Sequence, residues 1–454
     1  MREPWNRELE LGFHCRDFRG QMNTVVADNA LGAHTIRKIQ WRILPLIFLL
    51  YIVSYLDRIN VGFAALTMNK ELGISSQQFG LLVGMFFFGY FLFEIPSNLL
   101  LHKIGARIWI ARILVTWGFA AMLTGFVHNV HQLYFARFLL GLAEAGYFPG
   151  VILYLTYWFP QRERAQAVAL VMVAIPVTSI LGGPASGLIL DHVHVFGLSS
   201  WRWLLILEGA PAVLCGLLAY YCLPNRPVDA KFLEADEKEW ILAELASEEA
   251  KKLSEHQVSL VQTFTSLRVW HLAFIEFNYA IGLYSLSFWM PQVIQALSTR
   301  FSNTAVGFLT VIPQVVGLTA MILVSRSSDR HLERRYHAAV AALVAAIGWL
   351  LLGLSSSPVA SMISLSLVAA GVYSIFGPFW ALPSEFLSGY AAASGIAMIN
   401  SIANLGGFAG PYAIGFIRNR TGSMRGGLVY VGASMMAAAV FFWLLPKRAK
   451  AQPR

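Results

Sequence analysis

The chain is predicted to be an all-α integral membrane protein, with twelve transmembrane helices arranged as two similar six-helix bundles. Three observations predict this. Of its 454 residues 57% are hydrophobic and 13% charged, against roughly 25% charged in soluble domains, and the mean hydropathy is +0.58. Twelve apolar runs approach or exceed the roughly 20 residues needed to cross a bilayer. A ten-residue basic pattern also recurs at the same place in each half.

Taken in order, residues 1–36 are polar and mixed in charge, and read as a flexible tail with no assigned function and no cleavable signal peptide. The apolar runs follow at about 41–65, 79–101, 108–127, 131–158, 166–190 and 202–223, then 270–295, 305–325, 337–355, 357–382, 391–417 and 428–446. The split inside 337–382 rests on Ser355-Ser356-Ser357-Pro358. This predicts bundles over 37–223 and 269–446, joined by a linker at 224–268 and followed by a short tail at 447–454. Within the linker, the acidic-rich stretch Glu234–Lys252 reads as a solvated connecting helix.

Twelve spans put both termini on one side. Lys103, Arg107, Arg162, Arg164, Arg326, Arg330, Arg334 and Arg335, with basic residues in both tails, predict that this side is cytoplasmic. The net charge of +9 is thus a membrane signal rather than one for nucleic acid. Arg418, Arg420 and Arg425 dissent on the predicted outer side, where a vestibule attracting anions is one reading. Cys15, Cys215 and Cys222 have neither metal-binding nor disulfide spacing.

The run His131–Phe159 is the most informative. It holds Arg137 and Glu144 inside an apolar stretch, where a charge costs at least ~2.5–3.5 kcal/mol. Seven residues apart, they leave a helix on nearly the same face, about 10 Å apart along its axis. Gly141, Ala143, Ala145 and Gly146 allow close helix approach, and Pro149-Gly150 marks the expected bend. Span one adds Asp57 and Arg58, about 100° apart on a helix. One natural arrangement aims Arg58 at a central cavity and Asp57 at span four, where it could pair with Arg137. Together these suggest a solute and proton site in a membrane transporter. A guanidinium offers a carboxylate a planar, permanently charged fork, so Arg58 and Arg137 are candidate anion ligands. Burial favours a carboxyl's neutral form and a nearby guanidinium its charged form, so a solute that claims the arginine would let Glu144 take a proton.

Tyr55 and Tyr90 could donate to solute oxygens, while Asn278, Tyr279, Tyr284, Trp289, Trp380, Asn400 and Asn404 offer polar or aromatic surface in the second half. Glu94 reads as a gate, Glu208 and Glu276 as residues near predicted cytoplasmic ends, and His192 and His194 as loop. No nucleophile–base set or metal cluster is visible, so neither an enzyme nor a cofactor is expected.

The repeated pattern is NLLLHKIGAR at 98–107 and SRSSDRHLER at 325–334, each with a basic residue sixth and tenth. These stretches resemble the cytoplasmic motif of the major facilitator superfamily, with the first copy degenerate at Asn98 and His102 and the second carrying Leu332 in place of a glycine. Leu181-Gly182-Gly183-Pro184 through Gly187 is similar to that superfamily's glycine-proline element. Within it, Tyr55–Asn60, Phe93–Asn98, Arg137–Pro160, Phe277–Gln292, Phe379–Pro383 and Asn400–Pro411 resemble the anion:cation symporter family, which mostly imports sugar acids, tartrate, phthalate and hydroxyphenylacetate with protons. The resemblance implies Asp57 and Glu144 as proton carriers and Arg58 as the direct solute contact. It implies Arg137 as a carboxylate partner, and gating by Lys103, Arg107, Asp329 and Arg330. Ile175 stands where sugar-acid members place a glutamine, which argues against polyhydroxylated acids. The expectation is proton-driven import of a small carboxylate by alternating access, in a monomer of a bacterial inner membrane. Exchange, sodium coupling, facilitated diffusion and nutrient sensing remain as alternatives.

Overall fold

A computed structural model describes residues 6–254, 265–386 and 389–446. The first bundle contains α1 (Asn6–Glu71), α2 (Ser76–Ile104), α3 (Ala106–Thr124), α4 (Val130–Glu144), α5 (Tyr147–Thr156), α6 (Gln161–His192) and α7 (Ser200–Cys222). A connecting helix, α8 (Ala235–Ser254), precedes the second bundle. That bundle holds α9 (Leu267–Gln295), α10 (Asn303–His331), α11 (Arg335–Leu354), α12 (Pro358–Phe386), α13 (Gly389–Thr421) and α14 (Arg425–Leu444). Because α4 and α5 form one broken span, these make twelve crossings. Residues 30–36, expected in a flexible tail, instead continue the first span as helix, with Thr35 buried.

Local chemistry sets the helix starts. Ser75 and Gln78 form a capping box at α2, and the Asn129 and Ser302 side chains cap α4 and α10. The eighth residue of each basic repeat, Gly105 and Leu332, has positive φ, 97° and 50°, but with ψ of 147° and 34° the two turns differ. The second copy therefore places a side chain in a left-handed conformation that only glycine adopts freely.

The bundles are built the same way. In the first, α1 packs on α6, α2 on α4 and α3 on α7; in the second, α9 packs on α13, α10 on α12 and α11 on α14. The seam between them is made by α1 with α9, α2 with α13 and α6 with α10. Ten spans among the described residues are long and apolar enough to cross a membrane unaided. The remaining two, α9 and α13, are 29 and 33 residues long but interrupted by polar residues such as Glu276, Asn278, Asn400 and Asn404. Both lie on the seam.

Helix α8 belongs to the first bundle. Glu237 accepts from Lys38 Nζ at 2.8 Å, Trp240 covers Gly32, and Glu248 accepts from Arg164 Nη2 at 3.0 Å. Burial pushes the Glu237 carboxyl up, but the bonds and charge of Lys38, the Glu234 amide and His34 together hold it below the usual carboxylate range.

Candidate functional site

From α1, Asp57 turns into the first bundle, accepting from Asn60 Nδ2 at 2.9 Å and from Trp117 Nε1 on α3 at 2.6 Å. The alternative reading of Asp57, an ion pair with Arg137, is not formed among the described residues; Trp117 donates to Asp57 instead. The one signal that points to Trp117 is that a buried indole N–H needs an acceptor. Arg58 faces the seam. Its Nη2 pairs with Glu144 Oε1, Nη1 donates to the Tyr284 hydroxyl at 3.3 Å, and its guanidinium lies 5.3 and 5.7 Å from the rings of Phe86 and Tyr90. Phe86 was not anticipated.

Arg137 is 3% exposed and makes no hydrogen bond or ion pair among the described residues. With Arg58, Val83, Phe86 and Phe288 it borders a narrow gap with no room for a water-sized sphere. Glu144 Oε2 also lacks a partner. The site thus has two guanidinium groups, one paired and one without a hydrogen bond, beside a carboxylate with a spare oxygen.

The break in span four falls at Glu144 itself, not at Pro149-Gly150 as expected. Glu144 ends α4, Ala145 is extended with ψ 133°, and Gly146 has φ 83°. A Cβ on Gly146 would lie 2.7 Å from the Ser97 Cβ, so both backbone and space demand glycine. Pro149 sits in the first turn of α5, where a backbone N–H has no helical acceptor and proline does no harm. Irregular backbone at membrane depth is tolerated where protein buries it.

Tyr55 hydroxyl lies 3.0 Å from Ser287 Oγ across the seam. Tyr90 is buried beside Arg58. Asn278 donates to the Phe274 carbonyl of its own helix at 2.8 Å, and Tyr279 packs on Phe376; neither is brought to the arginines. Trp380 meets Phe148 with ring centres 5.7 Å apart, toward the face that carries the chain ends.

Asn400 and Asn404 bind Glu94. Asn400 Nδ2 donates to Oε1, while Ser401 Oγ and Asn404 Nδ2 each donate to Oε2 at 3.1 Å. Lys103 is exposed, Arg107 lies over Tyr220 at 5.3 Å, and Asp329 pairs with Arg334 of its own loop. The contacts described for these motif residues stay within one bundle; Arg330 is exposed. Glu208 is not near the face bearing the chain ends: it is eight residues into α7 from the opposite face, buried and accepting from Ser186 Oγ at 2.7 Å. Glu276 is buried with Oε2 unpartnered. Arg418 lies 6.0 Å from the Trp289 ring.

At the face opposite the chain ends, Asp191 accepts from Asn303 Nδ2 and Thr304 N, each at 2.7 Å, tying α6 to the start of α10. Beneath it Gly183 and Gly307 meet backbone to backbone; a Cβ on Gly183 would lie 2.9 Å from the Gly307 carbonyl oxygen. A vestibule of about 740 Å³ opens on this face, lined by Thr67, Lys70, Glu71, Gln295 and Asn303.

Residues 47–411 match the model of the Major Facilitator Superfamily. An Agrobacterium vitis protein named "Putative tartrate transporter" is 44% identical over 93% of each chain. An Acinetobacter baumannii protein named "Quinolone resistance transporter" is 37% identical over 90% of this chain and 94% of its own. Among solved structures, the partially occluded, inward-open xylose transporter XylE of E. coli superposes with a TM-score of 0.71 at 17% identity, over 91% of this chain and 99% of that one.

Proposed function

Because the chain belongs to the major facilitator superfamily of membrane transporters, we propose that it imports a small organic carboxylate together with protons by alternating access. The relatives named for tartrate support the anion class. The observation that carries the reading is the buried, unpartnered Arg137 guanidinium beside the Arg58–Glu144 pair. The carboxylates of Asp57 and Glu144 act on Arg137 without bonding to it, and a carboxylate solute would give its guanidinium direct acceptors. As the solute draws Arg58 to itself, Glu144 loses its partner in a low-dielectric site and takes a proton on Oε2, the oxygen with no hydrogen bond. Asp57, held by Trp117 and Asn60, is the second proton carrier. We read the protein as a monomer in a bacterial inner membrane with cytoplasmic termini, on the strength of the basic even-numbered loops.

Purified protein in liposomes holding a pH dye, challenged with tartrate, sugar acids, phthalate and hydroxyphenylacetate, tests this. Internal acidification with one acid, abolished by Glu144→Gln, is expected; labelled solute entering without a pH change, and surviving Glu144→Gln, would exclude proton coupling. The relative named for quinolone resistance favours a second reading, outward movement of its solute. Reversing the proton gradient in the same liposomes decides the direction.

A further inference from the structure

Glu94 sits on α2, one helical turn beyond Tyr90, so it is about 6 Å along the axis from the ring on which Arg58 stacks. All three of its donors come from the other bundle: two primary amides and a hydroxyl, on successive faces of one turn of α13. Such a set is matched to a carboxylate. Two oxygens accept three N–H and O–H bonds, and no cation pairs with Glu94 among the described residues. The second half thus presents a built carboxylate site, filled by a side chain of the first half. Asn400, Ser401 and Asn404 cannot serve Glu94 and a solute together.

Building on the anion reading above, we infer that this cradle is a second carboxylate subsite, occupied by Glu94 as an internal stand-in, and that the solute is a dicarboxylate. One carboxylate engages Arg58 and Arg137; the other displaces Glu94 from Asn400, Ser401 and Asn404. A turn of helix separates the two subsites, a span that a four-carbon diacid bridges. Displacement also removes three hydrogen bonds that join α2 to α13, so a diacid loosens this end of the seam and a monoacid does not. Beside a bound dianion the displaced Glu94 takes a proton from solution, since like charges in a buried site oppose each other. The charged and titratable groups that face it are Arg58 of α1 and Tyr90 of its own helix; α13 contributes only neutral donors.

Calorimetric titration of the full-length protein with tartrate and with its one-carboxylate counterpart, glycerate, tests the cradle. Tartrate is expected to bind more tightly than glycerate. Asn404→Leu should weaken tartrate about ten-fold, the loss expected of one hydrogen bond to a charged group, and leave glycerate unchanged. Ser401→Ala, a milder change that leaves packing intact, should act in the same direction. Glu94→Ala should tighten tartrate alone. Equal weakening of both acids in Asn404→Leu and Ser401→Ala, with no gain in Glu94→Ala, overturns the cradle and leaves the anion carrier standing. Failure of the wild type to bind either acid removes both.

Discussion

The two ends of the seam between the bundles are closed by different means. At the face opposite the chain ends, backbones meet at Gly183 and Gly307, and Asp191 binds main-chain and side-chain donors at the start of α10. Toward the other face, closure rests on side chains: Glu94 in its three-donor cradle and Trp380 against Phe148. Backbone contact through glycine has no intermediate setting, so that end is open or shut. A carboxylate in neutral donors can be undone by one proton or one competing anion. Asp191 is a carboxylate in neutral donors as well, but the glycine contact beneath it backs that end whether or not the carboxylate is charged.

The largest effect on transport should come from spoiling the backbone end. Gly183→Leu overpacks the contact at a cost of about 1–3 kcal/mol, which depletes the state in which α6 and α10 meet by up to ~100-fold. Solute uptake should collapse while the protein still folds; unimpaired uptake would mean that α6 and α10 need not meet. Next, Glu94→Ala removes hydrogen bonds to a charged acceptor, each worth about 1.5–3 kcal/mol. Amide exchange over residues 398–404 should accelerate, with residues 303–310 unaffected, and equal acceleration at both would deny that the ends are separable. A smaller effect attends Asp191→Ala, which deletes a cap worth about 1–2 kcal/mol. Its melting midpoint should fall by roughly 2–4 °C. Leu332→Gly acts away from the seam and serves as the control. It relieves a left-handed leucine that is 71% exposed and packs little. The midpoint should rise by about 1–2 °C, the left-handed cost being partly offset by glycine's flexibility when unfolded, with transport unchanged.

Much of this was legible in the chain. Apolar run length revealed the spans, and the sixth-and-tenth basic pattern revealed the repeat. Arg137 and Glu144 were conspicuous because charge in an apolar run is costly. Partners were less legible, because they depend on how helices rotate against one another. Charge alone offers Arg137 as a possible partner for Asp57, whereas the indole of Trp117 is the donor that reaches it. Asn400 and Asn404 looked like free polar surface until α13 was set against Glu94. The bend in span four was assigned to proline, the stronger local signal, though Gly146 carries it and Pro149 falls where proline costs nothing.

The polarity of α9 and α13 bears on how the protein is made. A segment enters a bilayer from the ribosome according to its apolar content, and asparagine and glutamate count against it. Ten spans can be delivered on their own merit, but these two need company. Helix α13 emerges near the end of synthesis, when α2 and α9, its packing partners, are already in the membrane to receive its asparagines. Late synthesis thus lets a helix too polar to stand alone in lipid be accepted directly into a protein interior.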